Sequence, residues 1–165
     1  MALEVERKFL LGAYPDDRIA GGSLAVEKVY LIDQTYLALS DGEELRVRRL
    51  KDALTGEAEY VLTYKSGFGL VRQEVEQPIS GKLYEELMSK VRLTPLIKER
   101  TIARTAEGIT VEIDRYSQFS LIVVEVEFAS EEEAIRFSPP DWFGEEISSS
   151  KLYSNKQLWR QLNHA

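Results

Sequence analysis

Charged side chains recur at every second position through segment after segment of this 165-residue chain, and that period of two leaves few folds open to it. Residues two apart in a β-strand share a face, and their neighbours occupy the opposite one. In Glu4-Val5-Glu6-Arg7-Lys8-Phe9 the two glutamates and Lys8 take one face, while Val5 and Phe9 share the other with Arg7. The pattern then returns. Arg46 and Arg48 alternate with Leu45 and Val47, and Lys65 stands on the face opposite Leu62 and Tyr64. Arg72, Glu74 and Glu76 alternate with Val71 and Val75, and Lys98 and Arg100 stand two apart. Glu112 and Asp114 alternate with Val111 and Ile113; Glu125 and Glu127 alternate with Val124, Val126 and Phe128.

Gly, Asp and Ser turns separate these segments, so the chain reads as mainly antiparallel β. The predicted strands are Glu4–Leu11, Val26–Ile32, Thr35–Ser40, Leu45–Leu50, Glu59–Lys65, Val71–Gln77, Lys98–Ala103, Thr110–Arg115 and Leu121–Phe128. Ser80 caps a predicted helix running to Val91, with Leu83, Leu87 and Val91 on one face. Ser130, followed by Glu131, Glu132 and Glu133, marks a second helix start, with acids suited to the helix dipole. Asn155 to Leu162 forms a third, and no linker divides the chain, so one domain over residues 1–165 is expected.

Taken singly, each strand fits an antiparallel sheet whose polar face meets water. Repetition favours another arrangement. The charges sort into acid pairs and base pairs with little Ser or Thr between them, whereas ordinary surfaces intersperse their signs. Charged faces turned inward around a closed sheet explain the sorting, and the outward apolar faces then need cover from helices, loops or a partner. Acids and bases on these faces nearly balance, as a confined charged lining requires.

Composition removes several chemistries. No cysteine is present, and the only histidine is His164, one residue from the end, so disulfides, thiolate metal sites and His-based catalytic triads are excluded and any metal must be held by oxygen. A formal net charge of −7 argues against a nucleic-acid surface. No apolar run approaches the roughly 20 residues that cross a bilayer. The opening residues, with two carboxylates and no small-residue cleavage site, do not read as a signal peptide, so a cytoplasmic location is expected.

Arg forks bind phosphate oxygens in pairs and Lys supplies a compact charge, so the base clusters suit a small polyanion. Carboxylates alone repel such a ligand, but they hold Mg²⁺ or Mn²⁺, hard ions that bridge protein acids to phosphates. Acid and base clusters thus do complementary work, and hydrolysis of a phosphoanhydride becomes accessible without a histidine base.

Glu4-Val5-Glu6-Arg7-Lys8 also resembles the Glu-x-Glu-x-Lys signature of the CYTH superfamily, the triphosphate tunnel metalloenzymes. The likeness continues through Leu45-Arg46-Val47-Arg48, Leu62-Thr63-Tyr64-Lys65, Arg72-Gln73-Glu74-Val75-Glu76, Lys98-Glu99-Arg100, Val111-Glu112-Ile113-Asp114 and Val124-Glu125-Val126-Glu127. It ends in Pro140-Asp141-Trp142-Phe143-Gly144-Glu145-Glu146-Ile147 and Tyr153-Ser154-Asn155. The resemblance implies an eight-stranded closed antiparallel barrel with a few flanking helices, whose lumen binds triphosphate compounds with Mg²⁺ or Mn²⁺. It assigns Lys8, Arg46, Arg48, Arg72, Lys65, Lys98, Arg100 and, on the closing segment, Lys151 to phosphate. Metal falls to Glu4, Glu6, Asp114, Glu125 and Glu127, with Glu4, Glu6, Glu125 and Glu127 also catalytic and Glu74, Glu76 and Glu112 as further lining. A homodimer is a further implication.

The expected activity is metal-dependent hydrolysis of triphosphate compounds, inorganic triphosphate first and nucleoside triphosphates after it, releasing orthophosphate. The same tunnel also supports an adenylate cyclase or a thiamine triphosphatase. A non-catalytic polyphosphate or nucleotide binder is a third reading, disfavoured because an anion binder needs bases more than acids. Ser66-Gly67-Phe68-Gly69 lacks the Lys-Ser/Thr of a phosphate loop and reads as a hairpin turn. The tyrosines and tryptophans read as core or interface residues, not as a base pocket.

Overall fold

The computed structural model describes residues 2–164. Its strands are β1 (Ala2–Leu10), β2 (Leu24–Leu39), β3 (Glu43–Asp52), β4 (Ala58–Ser66), β5 (Val71–Pro78), β6 (Leu96–Thr105), β7 (Thr110–Tyr116) and β8 (Ile122–Glu127). Its helices are α1 (Asp16–Ala20), α2 (Gly81–Val91), α3 (Glu131–Arg136) and α4 (Asn155–Asn163). The strands close into a barrel in the order β1-β5-β4-β3-β2-β6-β7-β8, each pair antiparallel.

Two predicted strands, Val26–Ile32 and Thr35–Ser40, are halves of the single 16-residue β2. Asp33-Gln34 between them does not turn the chain, because both side chains find partners inside the sheet. Asp33 accepts from Arg49 Nη2 at 2.7 Å, and Gln34 donates to the Tyr36 hydroxyl at 2.8 Å. Register shifts at Val26/Lys28 and Tyr36/Ala38 mark bulges in this long strand, the usual device for bending one around a barrel. The Ser66–Gly69 stretch is the β4–β5 connection, with Gly67 and Gly69 at φ 107 and 76.

The helix starts follow their caps. Ser80 Oγ accepts from the Leu83 N–H, Ser130 Oγ from that of Glu133, and Ser154 Oγ from that of Gln157. In α2, however, Tyr84 is buried and Leu83 is 42% exposed, so the inner face runs through Tyr84, Leu87, Met88 and Val91. The Tyr84 ring centroid lies 5.0 Å from that of Tyr60 and draws the helix onto β4. α1 gave no sequence signal; at five residues it is too short to show a period.

Outward residues of β1, β6, β7 and β8 form an apolar cluster of Phe9, Ala103, Val111, Ile113, Val124 and Val126 with Leu11, Leu24 and Phe143. Tyr14, Ile19 of α1, Phe137 and Trp142 cover it. A second cluster closes one end of the barrel. Leu158 and Trp159 of α4 pack with Ile147 against Tyr36, Leu96, Tyr116 and Val123. The Tyr116 hydroxyl donates to Asn155 Oδ1, which fixes the start of α4.

The closing segment reaches α4 along β1. Gly144 N–H donates to the Leu10 carbonyl, Leu10 N–H to that of Glu145, and Ile147 N–H to that of Lys8, each at 2.8 Å. A Cβ on Gly144 would lie 2.6 Å from the Leu10 carbonyl oxygen, so only glycine allows this approach.

Candidate active site

Cross-strand partners in an antiparallel sheet point to the same face, so inward parity can be followed around the whole barrel. Glu4 lies opposite Arg72, Glu74 opposite Lys65, and Glu76 opposite Thr63. Thr63 faces Arg46, Arg46 faces Tyr36, and Arg48 faces Gln34. Ile32 meets Lys98, Tyr30 meets Arg100, and Arg100 meets Asp114. Glu112 faces Glu125, Lys8 faces Glu125, and Glu6 faces Glu127, which returns the circuit to β1. The charged faces predicted from alternation thus form one continuous lumenal lining.

Ion pairs knit that lining together. Lys65 Nζ lies 2.8 Å from Glu4 and 3.4 Å from Glu74; Lys8 lies 3.6 Å from Glu125; Arg48 lies 3.1 Å from Glu76. Arg100 pairs with Glu112 at 2.8 Å. Glu76 and Glu127 are exposed and mark the open mouth, where a recess of about 350 Å³ is lined by Thr110, Glu112, Glu127, Phe128 and Ala129.

Deeper in, Asp114 is wholly buried. Its Oδ1 accepts from Arg100 Nε at 2.7 Å, and Oδ2 accepts from Arg100 Nη2 at 2.8 Å and lies 2.9 Å from Lys98 Nζ. Both oxygens of Asp114, expected to hold metal, are engaged by bases, as are both oxygens of Glu4 by Lys65, so each acid also serves as a counterion. Lys151 is exposed on the closing segment.

Confinement shifts the ionisation of these groups. Burial pushes the Lys98 ammonium down to about 7 against the pull of Asp114. Burial also opposes the charge on Glu4, yet a hydrogen bond shared with Glu74 and the Lys65 ammonium hold its carboxyl at about 2. Glu74 is pushed up to about 7 by burial and by that same shared hydrogen bond. Glu6 rises to about 8, first through burial and then through the charges of Glu125 and Glu4.

Sequence parity missed several lining residues. Glu44, 5% exposed, lies 3.7 Å from Arg46 and 3.5 Å from Arg72. Extending the predicted strand by one residue would have found it, since it stands two before Arg46. Gln34, Tyr36, Thr63 and Tyr116 are uncharged and carried no signal of that kind.

Among the described residues Gln34 Oε1, Thr35 Oγ1, Arg49 Nε and Trp159 Nε1 are buried without a partner, and two further deficits bear on a ligand. The Nε donors of Arg46, Arg48 and Arg72 are buried without an acceptor, a deficit that an anion's oxygens would fill. The Glu6 carboxyl has no hydrogen-bond or ion-pair partner among the described residues, and burial with the charges of Glu125 and Glu4 outweighs the pull of Lys65 and Lys8. An oxygen-liganded cation fits that second deficit, although among the described residues no three such groups already converge on a ligating point. No helix among the described residues is long and apolar enough to cross a membrane.

Comparison with known proteins agrees with this barrel. The CYTH domain family matches residues 2–157. The chain is 36% identical over 157 residues to an inorganic triphosphatase of Nitrosomonas europaea, covering 94% of this chain and 95% of that one. It is 26% identical over 160 residues to an inorganic triphosphatase of Acetivibrio thermocellus, covering 96% and 94% of the two chains. A crystal structure of an inorganic triphosphatase, 36% identical, superposes with a TM-score of 0.63 over 96% of this chain and 95% of the other. A protein of Hippeastrum described as a putative adenylyl cyclase with a dominant triphosphatase activity shares the fold, with a TM-score of 0.58 at 20% identity over 80% and 82% of the chains. A closed barrel lined throughout by these motifs and a match over nearly its full length lead to one assignment: the chain belongs to the CYTH domain family.

Proposed function

We propose that this protein hydrolyses triphosphate compounds, inorganic triphosphate in preference to nucleotides, with Mg²⁺ or Mn²⁺ as cofactor. The observation that carries this reading is the lumen itself, lined by paired acids and bases, where the buried Nε donors of Arg46, Arg48 and Arg72 have no protein acceptor. The 36% identical relative named inorganic triphosphatase supports the same substrate class.

Under this reading Lys8, Arg46, Arg48, Lys65, Arg72, Lys98 and Arg100 bind the phosphate oxygens, the arginines by paired donors. Asp114 keeps Arg100 and Lys98 aimed into the lumen before substrate arrives. Glu4, Glu6, Glu125 and Glu127 would hold the divalent ion, which supplies Lewis-acid stabilisation of phosphate charge when bound. Glu127, exposed at the mouth, would orient an attacking water and take its proton. The water oxygen bonds the terminal phosphorus, the bond to the bridging oxygen breaks, and pyrophosphate leaves as orthophosphate forms. With α4 filling the other end, substrate entry and product exit share the mouth.

A phosphate-release screen tests this, using inorganic triphosphate, ATP, thiamine triphosphate and longer polyphosphates with Mg²⁺, Mn²⁺ or chelator. Orthophosphate release from inorganic triphosphate, lost on chelation, is expected. Cyclic AMP and pyrophosphate from ATP would replace hydrolysis with cyclase chemistry, and tight binding without turnover would make the protein a sensor.

A further inference from the structure

Arg7 turns away from the lumen while its neighbours Glu6 and Lys8 turn into it. Its guanidinium, 16% exposed, sits in the outer wall with its donors well used. Nε donates to Glu146 Oε2 at 2.9 Å and Nη2 to Oε1 at 2.6 Å. Nη1 donates to the carbonyls of Ala134 and Phe137 at 2.8 and 2.9 Å, at the end of α3. An exposed ion pair would contribute little, but a bidentate fork bonded also to two fixed carbonyls sets position.

From Glu146 the network leads back to the lumen. Ser148 Oγ donates to Glu146 Oε2 at 2.6 Å and accepts from the Lys8 backbone N–H at 2.9 Å. The Lys8 carbonyl accepts from Ile147 N–H at 2.8 Å, and farther along the same segment the Tyr153 carbonyl accepts from the Lys8 ammonium at 3.4 Å. Backbone and ammonium of Lys8 are therefore both held by residues 147–153, and the Arg7–Glu146 pair fastens that segment to β1 and α3.

We infer that Arg7 and Glu146 form an external clamp that positions Lys8 for its ligand, an inference that rests on the triphosphate reading given above. Neither residue touches the lumen. The clamp acts by holding the closing segment in register with β1, so that the Lys8 ammonium is presented beside Glu125 and not left to swing. Loss of the clamp frees the segment from α3 while its backbone pairing with β1 remains, and the ammonium then samples positions off the phosphate.

The test is a mutant cycle on the full chain: Arg7→Ala, Lys8→Ala and the double variant, with Arg7→Lys as the conservative control. Binding of inorganic triphosphate with Mg²⁺ is measured by calorimetry, kcat and KM by phosphate release, and folding by thermal melts. Arg7→Ala is expected to lower kcat/KM roughly tenfold to a hundredfold and weaken binding, the scale set by misplacing a contact group by about 1 Å. Arg7→Lys recovers part of that loss. In the Lys8→Ala background, Arg7→Ala should change affinity by less than about twofold, because the two act as one unit. Equal fold-losses in both backgrounds, or a folded Arg7→Ala with wild-type affinity and kcat/KM, would overturn the clamp. If Arg7→Ala does not fold, Glu146→Gln takes its place in the cycle under the same criteria. A wild-type chain that neither binds nor cleaves triphosphate defeats the parent reading instead, a result distinct from additivity in a working enzyme.

Discussion

Replacing Asp114 by Asn changes almost no volume but removes the charge that holds two buried bases. Lys98 and Asp114 are each 1% exposed at the side chain and Arg100 is 13% exposed, so water cannot substitute for the lost carboxylate. Arg100 retains Glu112 at 2.8 Å, whereas Lys98 loses its nearest acid. Breaking a buried pair from one side costs about 3–5 kcal/mol, which for a chain of this size lowers Tm by roughly 6–20 °C. The loss also depends on pH. Burial has already brought the Lys98 ammonium to about 7, so above that pH the lysine is neutral in the folded protein and the missing carboxylate matters less. Urea unfolding of wild type and Asp114→Asn at pH 6 and pH 9 should therefore give a larger difference at pH 6. Asp114→Asn combined with Lys98→Met should recover part of the stability, because it removes the stranded cation. A difference below about 1 kcal/mol at pH 6, against the cost expected of a broken buried pair, would refute the role given to this triad.

Other consequences are open to measurement. The Lys98 ammonium titrates near 7 when folded and at 10.5 ordinarily, so between those values the unfolded chain binds a proton that the folded one does not. Wild type should accordingly gain stability relative to Lys98→Met as pH rises from 7 to 10.5, and parallel denaturation curves across that window would contradict the assignment. Glu4→Gln should abolish metal-dependent phosphate release; retained activity removes Glu4 from the ion site. Arg48→Ala should act mainly on KM or on both kinetic constants, and a loss confined to kcat would argue against a ground-state phosphate contact. Gly144→Ala drives a Cβ to 2.6 Å from the Leu10 carbonyl and should cost about 1–3 kcal/mol in urea unfolding. An unchanged midpoint would show that the closing segment yields freely there.

Much of the site was legible because a strand's side-chain period is fixed at two. Glu4, Glu6 and Lys8 share a face wherever β1 lies, and so do Arg46 with Arg48 and Lys98 with Arg100. The caps at Ser80 and Ser130 were equally local, since each hydroxyl serves an N–H three residues on. Locality also explains the failures. Asp33-Gln34 resembles a turn until Arg49 and Tyr36 arrive from elsewhere in the sheet, and Leu83 resembles a core residue until Tyr60 selects Tyr84 instead.

What the sequence alone determined is which side chains travel together, because alternation is a property of the extended backbone and needs no partner. Closure of the barrel, its stoppering by α4, and the division of the acids between those held by bases and those left without a partner were decided only by tertiary structure. Asp114 and Glu6 look alike in the chain. Packing alone sets one between Arg100 and Lys98 and leaves the other without an ion pair beside Glu125 and Glu4, because charge balance in a confined space depends on which strands become neighbours.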